Sequence, residues 1–483
     1  MLFNSIGYLF FLPVVVLLYY LLPHQRRWIM LLAASYFFYL IWRVEFVLVL
    51  MTATAVSYYA ALQMGKLPEK KRRVKYLALT LLVNLGMLVI FKYLGFFAEI
   101  AGQVAGIFGH NQGIPSPGIL LPIGISFYTF QTIGYTLDVY RGQIKPEKNI
   151  GIYALFVSFF PLILAGPIER GRRLIPQFHL RHDFDPQVFA SGLRLILWGL
   201  FKKIVIADRL ALFVQAIYAE PGYFHGVEIL VGIILKMMQV YADFSGYTDI
   251  AIGSARLLGF KLSPNFNRPF SAQSVSAFWS RWHISLTTWL RDYVYFSLPY
   301  KFRGKPVNWR LNLNLLITFV LVGFWHGPCW NFILFGFLHG TYMVVANISK
   351  PAMTAFNRIS GLTGTPRLLK WLNISATFLL VCSTGFFFGQ HPFSDSLLMI
   401  RNLVNFSHSG TAMAELLKNN DFVMGVLLII FMLWFEYQVA VKSFSAKFLG
   451  KPIAVRFAAY VIMSVFILAF GVFSSQKFFY FQF

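Results

Sequence analysis

The sequence predicts an all-α polytopic membrane protein, and its composition and apolar runs together support this class. Of its 483 residues, 58% are hydrophobic and only 12% are charged, with a mean hydropathy of +0.63. Soluble domains carry roughly 25% charged residues. Apolar runs of bilayer length recur along the chain, which predicts about 11–12 transmembrane helices. No polar stretch is long enough for a second domain, so residues 1–483 are expected to form a single integral membrane domain.

Positive charge is concentrated in short loops between the apolar runs. The chain has 42 Lys and Arg against 18 Asp and Glu, a net charge of +24. Such loops set membrane orientation and attract anionic headgroups, which predicts contact with membrane lipids and argues against a nucleic-acid partner. The loops predicted to be cytoplasmic are 65–75, 141–148, 301–310, 350–370 and 442–456, and those predicted to be external are 99–117 and 219–226.

The first apolar run has no preceding basic residue and no small-residue cleavage site after it, which predicts a retained helix rather than a signal peptide. Cys329 and Cys382 both lie in apolar runs, without the spacing of a disulfide framework or a zinc site. The candidate spans lie near residues 6–22, 28–42, 46–62, 77–98, 118–139, 187–218, 227–258, 311–326, 329–348, 371–389, 422–441 and 457–475.

Three further segments are irregular. Residues 150–166 are apolar but have basic loops on both sides, and their prolines predict a re-entrant hairpin, which places both termini outside the cytoplasm. Residues 265–300 combine Trp and Arg at helical spacing, which predicts an in-plane or re-entrant helix at the cytoplasmic interface. Residues 394–406 are predicted to form an amphipathic helix with Ser394 as N-cap, either a docking surface for an extracytoplasmic partner or a helix lying on headgroups.

The strongest candidate for chemistry is His326, which lies in an apolar run and directly precedes Gly327 and Pro328. Proline removes a backbone donor and clashes with the preceding turn, so a helix is expected to end or kink there. An ionisable side chain at such a break inside a membrane is a functional candidate, because its burial is costly. A neutral imidazole can take a proton from a hydroxyl as that oxygen attacks an acyl carbon. The competing interpretation is a structural histidine bonded to a carbonyl freed by the break.

A second histidine, His339, lies on the next helix beside Gly336 and Gly340, where small residues permit close helix approach. It is expected to position an acyl donor or to orient His326, unless its role is purely structural. Two histidines also raise the hypothesis of a metal, but a catalytic zinc normally has three protein ligands, and the nearest candidates lie in another span. No metal and no permanently bound cofactor are expected.

The span 227–258 carries two carboxylates, Asp243 and Asp249. Carboxylates in an apolar helix are costly unless they are paired. One interpretation is a structural ion pair that stabilises the scaffold, in which the partner is an arginine: Arg256, Arg281 or Arg291. The other is a polar tunnel lined by this helix, in which Asp249 binds substrate.

A thioester donor such as acetyl-CoA suits a site built around a base, because its thiolate leaves readily. Basic groups would attract its 3′-phosphate and pyrophosphate, although no glycine-rich phosphate motif is present. The residues expected to bind substrate are Asp249, Arg281, His283, Arg291, Trp325 and Asn331, with Lys202 and Lys203 as further cations.

Seven stretches in order resemble the membrane-bound O-acyltransferases, over about residues 2–346 and more loosely to the C-terminus. The resemblance is strongest to the subgroup of the bacterial alginate O-acetyltransferase membrane subunit and related exopolysaccharide and peptidoglycan O-acetylation proteins. The stretches are Leu121-Pro-Ile-Gly-Ile-Ser-Phe-Tyr128, Ala165-Gly-Pro-Ile-Glu-Arg170, Tyr241-Ala-Asp-Phe-Ser-Gly-Tyr-Thr-Asp249, Phe278-Trp-Ser-Arg-Trp-His-Ile-Ser-Leu286, Thr288-Trp-Leu-Arg-Asp-Tyr293, Phe324-Trp-His-Gly327 and Phe337-Leu-His-Gly340.

This resemblance implies a multi-helix fold with re-entrant segments around a central tunnel, in the bacterial cytoplasmic membrane. It implies that the essential histidine of the family is His326 and that a second family histidine is His339. Acetyl-CoA would be used from the cytoplasm. The acetyl group would pass outside to a partner acetyltransferase with a serine nucleophile, which modifies a polysaccharide acceptor.

The sequence is also compatible with three other functions. They are D-alanyl transfer to teichoic acid from a carrier-protein thioester, a non-enzymatic transporter of glycan or lipid, and a scaffold that anchors an external enzyme. A transporter would more often show paired repeats with breaks at corresponding positions, and the sequence shows none. A scaffold would not require a histidine at a helix break.

Overall fold

The computed structural model describes residues 1–109, 118–302, 305–306, 308–406, 411–440, 448–473 and 478. Within this range the regular secondary structure is helical apart from a short ribbon, in which Lys301–Phe302 (β1) pairs antiparallel with Lys305–Pro306 (β2). The described residues cluster into two compact units. The first contains Met1–Ile196 and Thr248–Ser263, and the second contains Leu197–Tyr247 and Pro264–Gln482.

The helices of the first unit are α1 (Ile6–Leu21), α2 (His24–Leu40), α3 (Val44–Gly65), α4 (Lys70–Leu88), α5 (Leu94–Ile107), α6 (Ile125–Tyr140), α7 (Ile150–Ser158), α8 (Phe160–Ile163) and α9 (Gly171–His179). Two helices have residues in both units, α10 (Pro186–Leu200) and α12 (Val227–Leu257).

The helices of the second unit are α11 (Asp208–Ala219), α13 (Val275–Trp279), α14 (Ile284–Tyr293), α15 (Asn308–His326), α16 (Trp330–Ile359), α17 (Pro366–Ser383), α18 (Phe393–Leu403), α19 (Thr411–Lys418), α20 (Asn420–Ala440) and α21 (Ile453–Phe470). A π-helical turn, Phe201–Ala207, joins α10 to α11.

Six helical segments of the described chain are long and apolar enough to cross a membrane: α3, α4 with α5, α16, α17 with the turn that follows it, α20 and α21. Shorter apolar helices include α1 and the segment Ile150–Ile163. The predicted all-α polytopic membrane fold is confirmed.

Small polar side chains join the helices of the first unit. The hydroxyl of Tyr153 on α7 donates to Ser57 Oγ on α3 at 2.7 Å, and Thr132 Oγ1 on α6 lies 2.9 Å from Asn84 Oδ1 on α4. These groups are buried, so pairing removes the cost of burying them alone. The helix is interrupted at Phe159, between α7 and α8, where the sequence predicted an interruption before Pro161.

Several predicted boundaries were wrong. Helix α4 continues through a π-helical turn into α5, which ends at Ile107 within the predicted external loop 99–117. Residues 110–117 of that loop lie outside the described range. The predicted span 118–139 begins as a helix only at Ile125, because Gly124 is left-handed with φ 75°. α16 extends beyond residue 348 to Ile359, and the N-cap of α18 is Pro392 rather than Ser394.

The zone 265–300 is more broken than predicted. It forms two short α-helices, α13 and α14, rather than one, and half of its aromatic side chains are buried: Phe278, Trp279, Trp282, Trp289 and Tyr293. Between the two helices His283 adopts a left-handed backbone with φ 42°. A non-glycine residue in this region is strained, so the surrounding packing must hold the turn in place.

Candidate functional site

A helical hairpin positions His326. Helix α15 ends at His326, as the Gly-Pro pair predicted, and α16 begins four residues later at Trp330. Glycines allow the two helices to touch: a Cβ added to Gly336 would meet the carbonyl oxygen of Phe319, and it would lie 3.0 Å from Cα of Gly323. This backbone contact one turn before His326 fixes the position of the helix end.

His326 is 2% exposed and lies among aromatic rings of the second unit. Its ring centroid is 4.9 Å from that of Trp325, 5.7 Å from that of Phe335 and 5.2 Å from that of Phe388. Phe335 and Phe388 also contact each other, with centroids 4.8 Å apart. The imidazole is therefore enclosed by apolar rings, as the prediction of a buried histidine at a helix break required.

His339 is 1% exposed, and both of its ring nitrogens bond to side chains. Trp279 Nε1 donates to His339 Nδ1 at 3.2 Å. Since an indole N–H can only donate, Nδ1 is an acceptor and the ring is neutral with its proton on Nε2. The hydroxyl of Thr384 donates to the carbonyl of Val381 at 2.7 Å, so its oxygen accepts from His339 Nε2 at 3.1 Å. This network fixes one tautomer of His339.

Phe335 connects the two histidines. Its ring lies edge-on to His326 and edge-on to His339, at a centroid distance of 4.7 Å from the latter. The two imidazoles are thus packed against the same aromatic ring. His339 is well placed to hold Phe335 against His326.

His283 is fully buried and approaches the site through Trp325, at a centroid distance of 5.7 Å. Its Nδ1 lies 3.2 Å from Asn265 Oδ1, which also accepts from the hydroxyl of Ser285 at 2.7 Å. An amide oxygen accepts only, so Nδ1 carries the proton. Burial lowers the pKa of His283 to about 3, and the ring is neutral at physiological pH. The assignment of His283 to substrate binding stays a prediction.

Asn331, the second residue of α16, links the hairpin to the segment that precedes α18 and to α18 itself. Its amide nitrogen donates to the carbonyl of His391 at 2.8 Å, and its oxygen lies 3.3 Å from the hydroxyl of Ser396. His391 in turn contacts Ser396 at 2.9 Å. Burial lowers the pKa of His391. The amide of Asn331 thus has protein partners on both of its atoms.

The two arginines expected to bind substrate have different surroundings. Arg281 is half-buried and donates to the hydroxyl of Ser271 at 2.7 Å. The side chain of Arg291 is 57% exposed, and its Nε lies 3.0 Å from Asp292. Trp325 is buried between His283 and His326. The structure therefore gathers Trp325, His283 and the α15–α16 hairpin around His326, with Arg291 at the surface.

The carboxylate of Asp243 is paired with a lysine, so the prediction of an arginine partner was wrong for this residue. Lys203 Nζ lies 2.7 Å from Asp243 and 2.8 Å from Asp208, and all three residues are buried. Lys203 lies in the π-helical turn, which the sequence did not indicate. A Cβ at Gly246 would lie 3.1 Å from the Lys203 nitrogen, so α12 runs directly against this turn.

Lys202 is also buried in an ion pair, with Nζ 3.7 Å from Glu436. Tyr241 donates to the same carboxylate at 2.7 Å. Lys202 and Lys203 are therefore internal cations, and the expectation that they attract phosphate groups at the surface does not fit their placement. Asp249 belongs to the first unit, is half-buried and interacts electrostatically with Arg256. Its role in substrate binding stays a prediction.

Four residues of this site were not identified from the sequence: Trp279, Thr384, Phe335 and Asn265. Trp279 stands in one of the quoted motifs, and Thr384 is a polar residue at the end of an apolar run, so both carried a weak signal. Within the described residues, no three His, Cys, Asp or Glu side chains are grouped to hold a metal ion.

Comparisons with known proteins agree with this architecture. The family model of the membrane-bound O-acyltransferases matches residues 30–383. The probable alginate O-acetylase AlgI of Pseudomonas aeruginosa is 40% identical over 384 residues, which is 79% of this chain and 70% of the relative. A peptidoglycan O-acetyltransferase of Helicobacter pylori is 30% identical over 406 residues, covering 79% of this chain and 74% of the relative.

A teichoic acid D-alanyltransferase of Bacillus subtilis is 29% identical over 289 residues, covering 58% of this chain and 71% of the relative. The family match includes His326, His339, Trp325 and Phe335, and it ends just before Thr384 and Phe388. The chain belongs to the membrane-bound O-acyltransferase family and is an O-acetyltransferase with a multi-pass membrane fold.

Proposed function

We propose that this protein takes an acetyl group from cytoplasmic acetyl-CoA and passes it across the bacterial inner membrane for O-acetylation of an extracytoplasmic polysaccharide. The observation that carries the proposal is the placement of His326, a buried imidazole at the end of a helix and within a shell of aromatic rings. Relatives whose names specify alginate or peptidoglycan O-acetylation support the acceptor class.

In this mechanism neutral His326 is the general base. It removes the proton of an acceptor hydroxyl while that oxygen attacks the carbonyl carbon of the thioester. The new C–O bond forms as the C–S bond breaks, and the proton on the imidazolium passes to the departing thiolate. One ester and one thiol result, with no net change in protonation of the protein.

His339 acts as a positioning residue in this scheme. Its two nitrogens are engaged with Trp279 and Thr384, so accepting a proton would require the loss of the Trp279 hydrogen bond. Its ring supports Phe335, which packs on His326. Preorganised packing of this kind contributes to catalysis by holding the reacting groups in register.

We assign the remaining substrate contacts from the positions of the side chains near His326 and of the two arginines. Trp325 and His283 form one wall beside His326, and we assign to them contacts with the acetyl donor. Arg281 and Arg291 supply positive charge for the phosphates of the donor. The direct acceptor on the outer side is a partner acetyltransferase with a serine nucleophile, which in turn modifies the polysaccharide.

The test uses the full chain in lipid nanodiscs with acetyl-CoA labelled in the acetyl group. Wild-type protein is expected to release CoA and to transfer label to an acceptor hydroxyl, whereas His326→Gln is expected to lose the activity. The matched control is His24→Gln, which changes a half-buried histidine at the start of α2 in the other unit. Equal CoA release by wild type and His326→Gln would refute His326 as the base.

The likeness to the teichoic acid D-alanyltransferase supports a second candidate function, D-alanyl transfer from a carrier-protein thioester. The same assay separates the two. Labelled D-alanyl carrier protein offered in place of acetyl-CoA is expected to give no His326-dependent transfer, and efficient transfer from that donor would favour the second function.

A further inference from the structure

The second unit contains an apolar groove that lies away from His326 and its aromatic shell. It has a volume of about 490 Å³ and lies among α12, α17, α19 and α20. Every residue that lines it is apolar, including Ile234, Phe378, Leu417, Val426 and Leu433. The proposed acetyl transfer at His326 does not use it.

We propose that this groove binds one acyl chain of a phospholipid in the external leaflet. The lining offers no hydrogen-bond donor or acceptor from a side chain, so it suits neither ordered water nor a sugar. Leu427 and Ile430 line the groove and are 60% and 59% exposed, so it is continuous with the surface that α20 presents to the membrane.

The dimensions match a single chain. Phe422 and Leu433 lie at the two ends of the lining on α20, and the eleven helical steps between them rise about 16 Å. One leaflet of the hydrocarbon core is about 15 Å thick.

The position in the membrane follows from charge. α20 leads toward the basic loop 442–456, so its N-terminal part, where the groove begins at Phe422, belongs to the external side. Helix α19 lies at this end and is fixed there, because the carboxylate of Glu228 accepts from the backbone N–H of Met413 at 3.1 Å. Lys418, the exposed last residue of α19, follows directly after Leu417 and places positive charge near the phosphate of such a lipid.

The first experiment counts phospholipids that remain on the full chain after purification in a mild detergent, by native mass spectrometry. Val426→Trp places an indole in the groove and is expected to lower the count by one per chain. The control Leu468→Trp adds the same ring to α21 at a residue that is 72% exposed and does not line the groove, and it is expected to leave the count unchanged. An equal count in wild type and Val426→Trp overturns the proposal.

A second measurement needs no variant and holds even where Val426→Trp does not fold. The wild-type chain is placed in nanodiscs of phosphatidylglycerol brominated on its acyl chains, and the groove is inspected by electron cryomicroscopy. Elongated density with the strong scattering of bromine is expected along α20. Density for a polypeptide, from this chain or a second copy, or a groove without density, overturns the proposal.

Discussion

Replacing Gly336 by alanine should reduce catalysis far more than it reduces stability. The added Cβ would meet backbone atoms of α15, namely the carbonyl oxygen of Phe319 and, at 2.9 and 3.0 Å, the N and Cα of Gly323. Backbone cannot rotate away as a side chain can. Carbon atoms in contact prefer a separation of about 3.5–4.0 Å, and the Phe319 oxygen would be closer still than Gly323, so the hairpin must open by about 1 Å or more at this crossing.

The two consequences differ in size. Overpacking costs about 1–3 kcal/mol, and alanine regains up to about 1 kcal/mol of helix propensity over glycine, so the free energy of unfolding should fall by only about 0–2 kcal/mol. His326 lies one turn beyond Gly323, and Phe335 directly precedes Gly336, so the opening displaces the imidazole relative to its wall. A misplacement of about 1 Å can lower a rate by about 100-fold.

The assay compares Gly336→Ala with Gly86→Ala, since Gly86 is also helical, on α4, but a Cβ there would meet nothing within 4 Å. kcat for acetyl transfer and the thermal unfolding midpoint are measured for each in nanodiscs. Gly86→Ala should keep full activity and be equally or more stable. If a folded Gly336→Ala chain retained the wild-type kcat, the argument that this crossing positions His326 would fail.

Three further predictions follow from the buried polar groups. Trp279→Phe and Thr384→Val each leave a ring nitrogen of His339 without a partner and should lower the free energy of unfolding by about 1–3 kcal/mol, measured by denaturant titration; no change in either would contradict the tautomer assigned here. Lys203→Met leaves two buried carboxylates uncompensated and should cost about 3–5 kcal/mol, most of it recovered when both aspartates are also changed to asparagine. Because the folded pKa of His283 is about 3 and the usual value is 6.5, the unfolded chain binds more protons between these values, so stability should fall as pH drops below 6.5, by about 2 kcal/mol at pH 5. His283→Gln should remove that dependence, and an unchanged pH profile of the unfolding midpoint would refute it.

Local chemistry explains what was predictable from the sequence. Proline acts on the turn that contains it, so the end of α15 at His326 could be placed within one residue. Glycines four residues apart mark a close helix crossing, and Gly336 and Gly340 do contact α15. Apolar runs of bilayer length gave most of the spans, because that signal is summed over many residues.

Partners that are distant in the chain were not predictable in this way. His339 is bonded to Trp279 and Thr384, which are 60 and 45 residues away, and no local pattern selects them. The π-helical turn at Phe201–Ala207 left no recognisable pattern, and it contains Lys203, the partner of Asp243. The ends of α5, α6 and α16 also differ from expectation, since hydropathy does not report where a helix stops in a loop.

The two histidines of the hairpin illustrate why residue type alone does not assign a role. Both are buried in apolar helices and both precede a glycine, so their local sequence surroundings are almost alike. Their surroundings differ: His339 is bonded at both nitrogens to side chains from two other segments, and His326 lies at the end of α15 among aromatic rings. A base must change its protonation state during each turnover, and a ring whose tautomer is fixed from both sides resists that change. In the proposed mechanism we therefore assign the proton transfer to His326, while His339 keeps its tautomer and positions Phe335.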